Sequence, residues 1–242
     1  MNPLDLNEVR NFVAENIGAF HNRRLERLQS LRLRQILKRK NPYLFRAKNI
    51  DTSQTLVQEL LDAHLSSQEE TIFGQFLEEL AIFVCQRVYG GRKSTAEGID
   101  LEFEKEGVHY IVAVKSGPNW GNSSQIARMR NNFKQAQRRL RQNQRVGSIV
   151  AVNGCCYGRD NRPDKGDYLK LCGQRFWEFI SGNERLYIEI IEPLGHQAKE
   201  RNETFRREYA RIVNLFTLDF GTEFCTDGLI DWEKLVRFNS AI

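Results

Sequence analysis

"GIDLEFEKEGVHYIVAVKSGPNW", residues 98–120, sets an aspartate at the head of one segment and a lysine at the tail of the next. Asp100, Glu102 and Glu104 alternate with Leu101 and Phe103, the period of a half-buried strand. Glu106-Gly107 supplies a two-residue turn, and "VHYIVAVK" returns as a strand apolar on both faces. Side chains two apart on a strand share a face, so Lys115 and position 113 point the same way and a hairpin can bring Asp100 beside them.

Upstream, about Glu69 to Val88 forms a helix in which Ile72, Phe73, Phe76, Leu77, Leu80, Ile82, Phe83 and Val84 cover most of the circumference, as expected of a helix buried against a sheet. Gly90-Gly91 ends it. Glu78 and Glu79 sit in its middle, and burying a charge without a partner is costly, so at least one of them needs a cation. Before it, residues 5–39 carry helical spacing, Asn41-Pro42 breaks the pattern, "NPYLFRAKN" reads as an extended link, and a second helix starts at Thr52 or Ser53.

Downstream, the polar loop "SGPNWGNSS" leads into a basic helix with Ile126, Met129, Phe133, Ala136 and Leu140 as its inner stripe. "VGSIVAVNG" is a buried strand, "YLKLCGQRFWEFISG" a short helix, "RLYIEIIEPLG" a strand, and Lys199 to Phe216 a long helix. This order predicts an α/β fold: a central mixed β-sheet flanked by helices on both faces. The 242 residues suit one catalytic-size domain, 46–242, behind a helical basic N-terminal extension, 1–45.

The net charge is +5, and its placement matters more than its size. Arg23 to Lys48 holds ten Lys/Arg against the single acid Glu26, and Ser123 to Arg145 holds seven and no acid. Clustered cations of this kind are the electrostatic footprint of nucleic-acid binding. Five cysteines without a CxxC pair fit a reducing compartment, and adjacent Cys155 and Cys156 with Cys172 have the wrong spacing for zinc. No apolar run reaches the roughly 20 residues that cross a bilayer, and "MNPLDLNEVRNF" lacks the order of a secretory signal. A cytoplasmic protein is expected, with no membrane partner.

A carboxylate and an ammonium converging at a strand end suit phosphodiester hydrolysis: the acid holds a hard divalent cation, and the amine orients water and faces the developing charge. A helix-embedded glutamate, then "GID" opening a strand, then an apolar strand ending in "VK" resembles the PD-(D/E)xK nuclease superfamily. Within it, "VKSGPNWGNSSQ" and "CGQRFWEFISG" look like type II restriction endonucleases. The resemblance implies Mg2+-dependent cleavage of double-stranded DNA at a specific sequence, usually by a homodimer, with a cognate methyltransferase expected near its gene. By it, Asp100 is the metal-binding aspartate, Lys115 the catalytic lysine, and the Val114 carbonyl a further metal ligand.

One departure stands out, because the superfamily's second acid belongs two residues before the lysine and here that residue is Ala113. Glu78, in a G-x-x-x-E spacing from Gly74, is the first substitute, Glu79 the second and Glu102 the third. Phosphate contacts are expected from the loop and basic helix, through Ser116, Asn119, Asn122, Ser123, Arg128, Arg130, Lys134 and Arg138. Two other functions compete: a structure-specific repair or junction nuclease of the same superfamily, and a DNA-binding protein that has lost catalysis, for which Ala113 is the supporting residue.

Overall fold

The computed structural model describes residues 2–142 and 147–241. The end of the second basic segment, residues 143–145, and Val146 at the head of the expected strand lie outside the described residues. In chain order the elements are α1 (Leu6–Gln29), α2 (Leu33–Leu37), α3 (Pro42–Ala47), α4 (Ser53–Tyr89), β1 (Arg92–Lys93), β2 (Leu101–Lys105), β3 (Val108–Lys115) and α5 (Ser123–Gln142). There follow β4 (Ser148–Cys155), β5 (Leu169–Cys172), α6 (Gln174–Ser181), α7 (Leu186–Glu189), α8 (Ile191–Leu194), α9 (Ala198–Phe224), β6 (Cys225–Thr226), β7 (Leu229–Ile230) and α10 (Trp232–Ser240). They group into two compact units, one of Met1–Ile17 with Phe73–His196, the other of Gly18–Ile72 with Gln197–Ile242.

The first unit is the expected α/β layer, a five-stranded mixed sheet in the order β1-β2-β3-β4-β5 flanked by helices. β1, β2 and β3 are antiparallel neighbours, whereas β3, β4 and β5 run parallel. The β2–β3 turn is the two-residue Glu106-Gly107, with φ of 53° and 75°. Positive φ at both positions matches the right-handed twist of the flanking strands. Parallel strands cannot be joined by so short a turn, and α5 makes the β3-to-β4 crossover.

One sheet face packs on α5, where Ile99, Ile111, Ala113, Ile149 and Ala151 meet Met129, Phe133 and Ala136. On the other, Phe179 of α6 makes edge contacts with Phe103 and Tyr110, and Tyr89 of α4 stacks on Phe103. Gly154 allows the closest approach there, since a Cβ would lie 2.2 Å from the Phe176 ring.

The second unit has its own core, in which Leu28, Leu56, Val57, Leu60 and Leu61 pack with Phe205, Ile212, Phe216, Phe220 and Phe224. It ends in the β6–β7 hairpin and α10.

Several elements differ from the sequence reading. Residues 5–39 are not one helix, because α1 stops at Gln29 and the chain turns to bury Leu31, Leu33, Ile36 and Leu37. The expected link at 42–47 is helical: Asn41 Oδ1 accepts from the Tyr43 N–H at 3.0 Å, and Pro42 takes the first helical position, where no donor is needed. The two helices expected between 52 and 88 are a single α4, since "HLSSQEET" contains no breaker. Residues 169–172 are a strand, parted from α6 by Gly173 at φ 56°. Residues 186–194 are two helical turns and not a strand: Leu186, Ile190 and Pro193 are buried while Ile188 and Ile191 stay exposed, which is not a two-residue alternation.

Candidate active site

The hairpin brings Asp100 and Lys115 together. The backbone N–H of Asp100 donates to the Val112 carbonyl at 2.8 Å, placing the residue just beyond the β2 ladder and across from Ala113. Its Oδ2 accepts from the Val114 N–H at 2.7 Å and lies 3.6 Å from Lys115 Nζ. That ammonium donates to the Val114 carbonyl at 2.8 Å. One peptide residue, Val114, therefore holds the acid through its N–H and the amine through its carbonyl. The side chains of Asp100 and Lys115 are 20% and 30% exposed, so both can meet a substrate.

Glu78 comes from α4 to the same place. Its carboxyl is pushed above the ordinary glutamate range, first by burial and next by the charge of Asp100, against the pull of Lys93 and Lys115. Lys93 Nζ, 3.4 Å away, is the cation that partners this half-buried charge. Glu79, one residue on, accepts from Gln75 of its own helix at 3.0 Å. Glu102 is buried and engaged elsewhere, bonded to Ser94, 3.5 Å from Arg92 and 3.7 Å from His109. These contacts lie where β1 pairs with β2.

The residue two before the lysine is Ala113, which is fully buried and offers no carboxylate. Among the described residues no three His, Cys, Asp or Glu side chains form a metal-holding group. The donors at hand are the Asp100 and Glu78 carboxylates and the Val114 carbonyl, all oxygens. Such a set suits a hard cation, and the repulsion between the two acids is what a divalent charge relieves. Burial pushes the Cys156 thiol up to about 12 and raises Cys155 and Cys172 as well.

The loop after Lys115 is tied down by its backbone. The carbonyls of Lys115 and Ser116 accept from the N–H groups of Cys156 and Tyr157 at 2.9 and 3.0 Å, and the Pro118 carbonyl accepts from Lys170 Nζ at 2.8 Å. Asn122 caps α5: its Oδ1 accepts from the Gln125 N–H, and Gln125 Oε1 accepts from the Asn122 N–H, both at 3.0 Å. This reciprocal pair is a capping box, so the Asn122 side chain is committed to the helix. Asn119 and Ser123 are exposed. Arg128 pairs with Glu97 at 2.8 Å and Arg130 binds both oxygens of Asp167, while Lys134 and Arg138 stand exposed on the same helix.

A model of the family described as type II restriction endonuclease EcoO109I matches residues 7–202. The chain belongs to this family. Curated proteins give no match to the chain. Membership makes the molecule a nuclease of the restriction-endonuclease type, and residues 7–202 include every side chain of the candidate site. Among the described residues, no helix is long and apolar enough to cross a membrane.

Sequence reasoning missed three contributors: Lys93, which partners Glu78; Lys170, which anchors the loop; and Asn153, which is 1% exposed in β4. The last had a signal, a lone amide inside the apolar run "SIVAVNG".

Proposed function

We propose that the chain is a Mg2+-dependent type II restriction endonuclease of the PD-(D/E)xK superfamily that hydrolyses double-stranded DNA at a specific sequence. In this reading Asp100, Glu78 and the Val114 carbonyl hold the cation, and Glu78 replaces the acid absent at Ala113. The observation that carries the reading is the pairing of Asp100 with Lys115 about the Val114 peptide, with a desolvated Glu78 beside it.

When bound, Mg2+ supplies charge neutralisation at the phosphate and acidity to water. Lys115 turns its ammonium from the Val114 carbonyl toward the scissile phosphate, orients the attacking water and faces the charge that develops. Asp100 keeps that ammonium in register through their 3.6 Å contact. Hydrolysis leaves a 5′-phosphate and a 3′-hydroxyl. Segments Arg23–Lys48 and Ser123–Arg145 grip DNA phosphates, with residues 46–242 as the catalytic domain and 1–45 as a basic extension. The enzyme works as a cytoplasmic homodimer, with a methyltransferase encoded nearby as its genetic partner.

Purified protein with supercoiled plasmid and Mg2+ tests the proposal: discrete fragments with 5′-phosphate ends are expected, and Lys115→Ala should abolish nicking while retaining plasmid binding. Unchanged cutting by Lys115→Ala would remove the mechanism. Ala113 supports one other reading, a DNA binder without catalysis, which shows mobility shifts and intact strands at every Mg2+ concentration.

A further inference from the structure

Asn153 is an amide placed where the fold calls for a hydrocarbon. It lies on the β4 face shared with Ile149 and Ala151, directly across from Ala113 in the parallel β3–β4 ladder, and it is 1% exposed. Burying an amide is costly unless both ends of the group are bonded, and here both are. Its Nδ2 donates to the Ala113 carbonyl at 3.2 Å, and its Oδ1 accepts from the Trp120 indole N–H at 3.2 Å. Trp120 in turn packs on the core that contains Ala113 and sets its ring centroid 5.4 Å from Lys115 Nζ. A cation within about 6 Å of an indole centroid is held by the ring quadrupole.

We infer that Asn153 and Trp120 are positioning residues for Lys115: the buried amide fixes the indole, and the indole holds the ammonium on the Asp100 side. The small residue at 113 fits this arrangement, because Ala113 leaves its sheet face to the Trp120 ring. The inference rests on the reading of Lys115 as the catalytic amine, and it extends that reading to two residues that carry no charge. Among the contacts of the ammonium, the Val114 carbonyl is adjacent in sequence and Asp100 is also bonded to the backbone. Trp120 is the one whose orientation depends on a distant buried side chain.

The test compares single-turnover nicking of supercoiled plasmid in Mg2+ with plasmid affinity measured in EDTA, for Trp120→Phe, Trp120→Leu, Asn153→Leu and Lys115→Ala, with thermal melts to confirm folding. Trp120→Leu should slow nicking about tenfold or more at unchanged affinity, and Trp120→Phe, which keeps an aromatic ring, should recover part of that loss. Asn153→Leu should follow Trp120→Leu; if it does not fold, the two Trp120 variants carry the comparison. Lys115→Ala that cuts normally defeats the underlying assignment of the lysine. Lys115→Ala that is inert beside a Trp120→Leu that nicks at the wild-type rate defeats this inference alone. So does a Trp120→Leu that weakens plasmid binding and leaves the rate intact, since the indole is then a DNA contact.

Discussion

Gly74 of α4 faces Ser116, the residue after Lys115, so closely that a Cβ at position 74 would lie 2.5 Å from the Ser116 hydroxyl oxygen. The helix that carries Glu78 thus touches the loop that follows the lysine, and Glu78 sits one turn further along the helix. The Ser116 Cβ is 3.9 Å from the same point, so rotating the hydroxyl relieves the clash. Gly74→Ala should therefore keep cleavage and gain up to about 1 kcal/mol of stability from helix propensity. Gly74→Phe should push helix and loop apart and lose cleavage. Equal nicking by both variants would show that this approach does not govern the site.

Asp100→Asn separates the charge from the scaffold. An amide oxygen still accepts the Val114 N–H, so the hairpin end should persist and the melting temperature should change by only a few degrees. Loss of the carboxylate should cut nicking by about two orders of magnitude or more, as for other groups that stabilise the transition state directly. Plasmid nicking and a thermal melt on the same preparation check both halves.

Glu78 and Glu79 should part company. Glu78→Gln is expected to abolish cutting, whereas Glu79→Gln, which alters a bond to Gln75, should leave it within a few-fold. The melts carry a sign. The folded pKa of Glu78 is raised above its ordinary 4.5, so its protonation favours the native state fully below 4.5, and that advantage is lost as pH rises through the folded value. Above that value the charged carboxylate burdens the metal-free fold. Glu78→Gln should then melt higher than wild type at neutral pH without Mg2+ and converge with it in acid. Mg2+ should raise the wild-type midpoint and not that of the variant.

DNA binding should weaken with salt, and the cations on α5 should contribute unequally. If Lys134 and Arg138 each meet a phosphate, replacing either with alanine should reduce the slope of log affinity against log salt by about 0.9. Arg128 and Arg130 already bind Glu97 and Asp167, so their replacement should change the slope less. Affinity titrations from low to moderate salt decide it, and four equal changes would mean that DNA breaks both ion pairs.

The hairpin, the basic helix and β4 were legible because their signals are local: a two-residue period, a glycine at a tight turn, an apolar stripe at helical spacing. The convergence of Asp100 and Lys115 was legible for the same reason, since it follows from the pleat and the turn. Residues 186–194 misled because an apolar run shows burial without showing period. The Asp227-Gly228 turn of the β6–β7 hairpin, with φ of 51° and 80°, carries a local signal of the same kind as Glu106-Gly107. Glu102 could be judged only from contacts: its engagement with Ser94, Arg92 and His109 depends on β1 pairing with β2. The Asn153–Trp120 contact was out of reach too, because it depends on the parallel register of β3 against β4, which no local pattern encodes.

The proposed pair of acids rides on two elements that mature differently. Asp100 and Lys115 belong to a hairpin whose contacts are near in sequence, so a newly made chain can bring them together early. Glu78 joins only when its helix settles against the loop at Ser116. A half-folded molecule with that hairpin formed and the helix undocked would hold an amine and one acid but not the second, and cutting power would wait for the docking.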